Sequence, residues 1–151
     1  MVTNHHKNIA TFIHLSTFAR FIFPFGNIIA PLVLWITNKE KSDFVDTHGK
    51  QAINFQFSIL LYVLIIGTLC IPFFAFSLFN HLDILDILDF NYFSDISIKI
   101  NSPSPLFYIC GTFSLLAILG FILEIVFIIN ASLKAKDGED YNYPFTINFI
   151  K

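Results

Sequence analysis

The chain has 151 residues, 55% of them hydrophobic and only 13% charged, with a formal net charge of −2, a mean hydropathy of +0.68 and 20 phenylalanines. A soluble domain of this length cannot bury so much apolar surface, so the composition points to a membrane. Nine basic residues spread thinly along the chain make no phosphate-tracking stripe, which excludes nucleic acid as a partner, and the length leaves no room for a separate catalytic domain.

The first apolar region covers residues 9–36. Lys7 precedes it as in a signal peptide, but Arg20, Pro24, Gly26 and Asn27 break the stretch and no small-x-small cleavage site follows, so it is expected to be retained. A single straight crossing would set Arg20 near mid-membrane, at a cost of about 2.5–3.5 kcal/mol. The cluster Phe23-Pro24-Phe25-Gly26-Asn27 instead predicts a helical hairpin, because proline blocks the helix behind it and Gly-Asn tolerates left-handed backbone. Arg20 would then snorkel at the far interface.

A polar loop over residues 37–43 leads to Asp43-Phe44-Val45-Asp46, which resembles a capping box with Asp46 satisfying free amides at the start of a helix over residues 44–79. Its apolar part, residues 55–79, and a second run over residues 106–129 each exceed the roughly 20 residues needed to cross a bilayer. Glu124 is the one charged residue within them. Between the two lies residues 80–105, read as an extracytoplasmic loop. There Asp83, Asp86 and Asp89 fall on one side of an interfacial amphipathic helix, without the glycine turn of a calcium loop, and Ile96, Ile98 and Ile100 alternate like a short strand. The final helix, residues 106–136, should end at Asp137-Gly138 as a left-handed cap. The aromatic tail, residues 137–151, is expected to pack back on the helix ends at the level of the lipid headgroups. Cys70 and Cys110 lie in the apolar runs with no metal-like spacing and read as small hydrophobes.

The fold class that follows is all-α: an integral membrane bundle of three to four membrane helices, an N-terminal hairpin plus two long spans, forming a single domain. Basic residues set its orientation. Lys7, Lys39, Lys41, Lys50, Lys134, Lys136 and Lys151 fall on one side, seven of the nine, which predicts a multi-pass protein of the cytoplasmic membrane with both termini inside.

His48, Gln51, Asn54, Ser58 and Tyr62 share one helical face, a polar stripe that suits either interhelical hydrogen bonds or a hydrophilic path. Glu124 is either a neutral, hydrogen-bonded packing residue or an ionised site for a cation or proton. The five histidines form no HExxH pattern, and there is no GxSxG elbow and no phosphate-binding loop. The chain therefore reads as a non-enzyme, with no cofactor, no metal and no catalytic residue. Its expected partner is the lipid bilayer, with a homo-oligomer or a larger membrane complex left open.

Four strings carry a family resemblance: His14-Leu15-Ser16, the segment from Phe23 to Leu32, the segment from Phe44 to Gln56, and the segment from Ala135 to Ile147. They resemble a widespread bacterial family of small integral membrane proteins of unknown function, distantly similar to the small membrane subunit of the chloroplast Tic import complex. The resemblance implies a four-helix membrane fold and no established activity. Two departures from the family stand out, a longer loop over residues 80–105 and an acidic residue at Glu124. The leading functional expectation is a structural or accessory role in self-association or in a larger membrane complex. The alternative is a small channel or translocation component that uses the stripe from His48 to Tyr62.

Overall fold

The computed structural model describes residues 2–81 and 105–151, and every structural statement below concerns these residues. They form helices α1 (Asn4–Leu15), α2 (Gly26–Asn38), α3 (Asp43–His81) and α4 (Pro105–Asp137), with short 3-10 turns at Ser16–Phe21 and Lys39–Lys41 and no strand. The expected amphipathic helix at Asp83, Asp86 and Asp89 and the expected strand near Ile98 lie outside the described residues.

Two compact units divide the chain. The first joins residues 1–62 to residues 121–151 and holds the hairpin, the start of α3, the end of α4 and the tail. The second is residues 63–120, in which Val63, Leu64, Ile66, Leu69, Leu115, Leu116 and Ile118 are all exposed. Helices α3 and α4 both contain windows long and apolar enough to cross a membrane, and only 17% and 11% of those windows are buried within the protein. The core helix of a soluble domain would be mostly covered. Here the apolar surface faces outward, as a lipid-facing helix requires.

The hairpin forms as expected, but by different means. Thr3 caps α1, its hydroxyl accepting from the His6 amide at 3.3 Å. The helix then tightens into the 3-10 turn, and the chain reverses at Phe25, whose φ of 59° makes Phe25 itself the left-handed residue rather than the Gly26-Asn27 pair. Gly26 is needed for another reason: a Cβ there would sit 2.2 Å from the Ala19 carbonyl oxygen, so only glycine lets the two arms meet. With 12 and 13 residues, α1 and α2 are each about 18–20 Å long, shorter than the ~30 Å hydrocarbon core.

Ser42 opens α3, its extended backbone and its hydroxyl, which accepts from the Phe44 amide at 3.3 Å, making it the cap in place of Asp46. Asp46 lies inside the first turn, where its carboxylate accepts from the Trp35 indole at 2.8 Å and pairs with Lys50 at 2.5 Å. Trp35 in turn packs closely on Gly49, where a Cβ would come within 2.0 Å of the ring. This contact places α2 on α3 and seeds a core of Ile13, Trp35, Val45, Ala52 and Ile53. A second core joins Phe55, Ile128, Ala131 and Tyr143 from α3, α4 and the tail.

The end of α4 matches expectation. Gly138, at φ 88°, donates to the Ala135 carbonyl at 3.1 Å while Glu139 donates to the Lys134 carbonyl at 2.9 Å, the paired bonds of a Schellman cap. Lys7 reaches across from α1 to donate to the Asp137 carbonyl at 2.9 Å.

Gly26→Ala should lower the thermal midpoint of the detergent-solubilised protein, by about 1–3 kcal/mol in stability, since the clash is with backbone that cannot swing aside. Gly67→Ala, with open space around it, should leave stability unchanged or raise it by about 0.5–1 kcal/mol. Thermal unfolding followed by circular dichroism separates the two.

Candidate functional site

Three polar assemblies occupy the first unit, and all five residues of the stripe belong to one or another of them. The first is an ion pair. Arg20, in the 3-10 turn, forks onto Glu124 of α4, its Nη1 donating to Oε2 at 2.8 Å while Nη2 pairs with Oε1. Nη2 also donates to Gln56 Oε1 at 3.1 Å, Gln56 Nε2 donates to Glu124 Oε1 at 3.3 Å, and Asn27 Nδ2 donates to Gln56 Oε1 at 2.7 Å. The hairpin turn, α3 and α4 are thereby tied at one point. The Arg20 side chain, expected to snorkel, is engaged in this pair; it is 24% exposed and that of Glu124 only 7%. Of the two charge states open for Glu124, the geometry selects the carboxylate, because an always-charged guanidinium faces both of its oxygens.

The second assembly is a buried chain of rings. The Tyr143 hydroxyl lies 2.9 Å from His14 Nδ1, and His14 Nε2 lies 2.8 Å from His48 Nδ1. Burial, then the neighbouring Tyr141 and Glu124, push the Tyr143 phenol well above its ordinary pKa, so the phenol keeps its proton and donates to His14. His14 then passes its other N–H to His48, and the chain of bonds stops there: His48 Nε2 is buried without a hydrogen-bond partner among the described residues, Asp140 Oδ1 standing 4.0 Å away. Tyr143 also stacks on Phe55, with ring centroids 4.1 Å apart.

The third assembly accounts for the rest of the stripe. Gln51 donates to the Asn142 side chain at 2.8 Å, and Tyr62 donates to the Phe145 carbonyl at 2.8 Å. Ser58 accepts from the Ile147 amide at 2.8 Å, and Asn54 both donates to the Ile150 carbonyl and accepts from its amide, each at 2.9 Å. Contact order along α3 is therefore 51, 62, 58, 54 as the tail advances. The tail runs out along the helix, reverses at Pro144-Phe145, where Phe145 has φ 59°, and returns. It docks along α3 rather than on the helix ends.

Sequence reasoning singled out Arg20, Asp46, His48, Gln51, Asn54, Ser58 and Glu124, and the structure gives each a named partner. It overlooked Gln56, Asn27, His14 and Tyr143. Gln56 carried a readable signal, as an amide inside an apolar run must find partners. Among the described residues no group of three or more His, Cys, Asp or Glu could hold a metal ion.

The class defined by this fold is a small protein, all-helical among the described residues, with two helices able to span a membrane and internal polar clasps within its first unit. The chain belongs to the Magnetosome magnetite crystal formation protein family, which it matches over residues 5–150. No curated protein and no solved structure matches it. The membership agrees with the expected family of small bacterial membrane proteins, and these comparisons bring no support for a likeness to the Tic subunit.

Removing one member of the ion pair strands the other in a largely buried setting, so Arg20→Gln and Glu124→Gln should each destabilise by about 3–5 kcal/mol. The double variant Arg20→Gln/Glu124→Gln should recover a good part of that loss. Unfolding midpoints of the three variants in detergent check this, and strict additivity would dissolve the pair.

Proposed function

We propose that this chain is a structural or accessory membrane protein with no catalytic role of its own. The observation that carries the reading is the docking of the tail along the stripe from Gln51 to Tyr62: the polar groups that could have wetted a path are hydrogen-bonded to the protein's own backbone and side chains. Polar side chains used in this way fix a shape in lipid. A channel or a translocation component of the Tic kind would need these same groups free. The family's name ties its members to magnetite crystal formation, a process for which a membrane-embedded scaffold is a fitting part, and the scaffold is the role proposed for this chain.

The charge bias supports an orientation with both termini in the cytoplasm, so that the clasped unit, with Lys39, Lys50, Lys134 and Lys151, borders the inner face. Self-association or a partner in a larger complex would use the exposed apolar faces of the two long helices.

In a background with Cys70 and Cys110 replaced by serine, cysteine at Asn54 or Ser58 should resist a membrane-impermeant thiol reagent applied from the cytoplasmic side, whereas cysteine at exposed Lys136 should react. Rapid labelling at Asn54 and Ser58 in a folded protein would favour the hydrophilic path instead. A reporter fused after Lys151 should read cytoplasmic, and one placed at Asn91 the opposite side.

A further inference from the structure

Histidine is the side chain whose ordinary titration falls near neutral pH, and two of the five, His14 on α1 and His48 on α3, are fully buried with ring nitrogens 2.8 Å apart. Tyr143 closes one end of the pair from the tail, and His48 Nε2 is buried at the other end with no hydrogen-bond partner among the described residues. With the phenol donating to His14 and His14 donating to His48, the lone pair of each ring is already taken. A proton arriving at His48 Nδ1 would meet the N–H of His14. It fits only if His14 moves its own proton from Nε2 to Nδ1, which turns the phenol from donor to acceptor and strands the phenol hydrogen.

Little around the pair offsets a charge. The tail brings Tyr141, the Glu139 backbone and the Asp140 carboxylate, which is 4.0 Å from His48 Nε2 but 71% exposed and therefore screened by water. The Glu139 carboxylate is taken by Lys134, and that of Glu124 on α4, which reaches Tyr143, is taken by Arg20. Lys7 on α1 is bound to the Asp137 carbonyl. On α3 the Phe44 ring centroid lies 4.3 Å from that of His48, while Asp46 and Lys50 pair with each other.

We infer that the tail is a latch released by protons: docked, it holds His14 and His48 neutral, and undocked it lets the pair take up a proton from water. The inference rests on the docking of the tail that carries the scaffold reading. Its sign follows from which state binds more protons. An imidazole open to water titrates near pH ~6.5, whereas a buried one charges only at lower pH, so docking is at full strength above about pH 6.5 and weakens below it by up to about tenfold per pH unit for a proton excluded. Release uncovers the side chains of Gln51, Asn54, Ser58 and Tyr62, which the tail otherwise occupies.

The test follows the full chain in mild detergent by hydrogen–deuterium exchange between about pH 7.5 and about pH 5.5, a range in which carboxylates ordinarily keep their charge, with rates corrected for the intrinsic pH dependence of exchange. Protection of the Ile147 and Ile150 amides, which donate to Ser58 and Asn54, should fall by about tenfold across that range, while protection of α2 should hold. His48→Gln supplies an amide oxygen that accepts from a charged His14, so its loss should shrink to about threefold or less. His5→Gln, at an exposed position, should respond like the parent. Asp140→Asn, without the carboxylate that faces His48, should lose at least as much protection as the parent. An undiminished loss in His48→Gln, a smaller loss in Asp140→Asn or a loss shared equally by α2 would each overturn the latch, and the parent and Asp140→Asn decide the matter even where His48→Gln fails to fold. A tail unprotected already at the upper pH defeats the docking behind the scaffold reading, and a tail protected throughout defeats the latch alone.

Discussion

The fork of Arg20 onto Glu124 is the constraint around which the first unit is arranged. A charge of either sign alone in this apolar surrounding would be expensive, and the chain places one of each on elements 104 residues apart in sequence. Their satisfaction requires the hairpin to turn where it does. Arg20 must leave the helical rise of α1 early enough to face α4, which the 3-10 turn at Ser16–Phe21 and the left-handed Phe25 accomplish together. Gln56 adds an acceptor for Arg20 and a donor for Glu124, and Asn27 donates to Gln56 in turn, so that the pair is embedded in a network and costs much to break.

The tail solves a related problem. Helix α3 carries a polar stripe into apolar territory, and neither a second helix nor water need cover it, because an extended segment offers backbone amides and carbonyls at the required spacing. Asn54 exchanges two bonds with Ile150 as a strand partner would, so the tail gains the pairing of a sheet without one being present. Aromatic side chains from the same segment fill the second core, where Tyr143 lies flat on Phe55. Polar and apolar needs are met by alternate residues of one strap.

Much of this was legible in the residues, and the parts that were not share a cause. Helix periodicity, the length of the apolar runs, the Gly138 cap and the hairpin break are local signals, written within a few positions of the feature they specify. The partners of Arg20, Glu124, Gln51 and Asn54 lie between 36 and 104 residues away, and no local pattern says which polar group meets which. Arg20 as a snorkelling residue and Glu124 as a separate question were each weighed alone, and for that reason their pairing was missed. Asp46 shows the same limit at short range, since its local pattern fits a cap and the cost of leaving the Trp35 indole unpaired assigns it elsewhere.

The three assemblies are also energetically coupled, and Tyr143 is where they join. Its ring packs on Phe55 beside Ile128 of α4, its hydroxyl holds His14 and through it His48, and the charge on Glu124 helps keep its proton in place. Undocking the tail would therefore do more than free the stripe on α3. It would open His14 to water, remove the phenol that orders the imidazole protons, and expose the second core next to the ion pair. Substitutions in the tail and around Glu124 share these neighbours, so their effects on stability should not add. The tail thus belongs to the packed unit as fully as any of its helices.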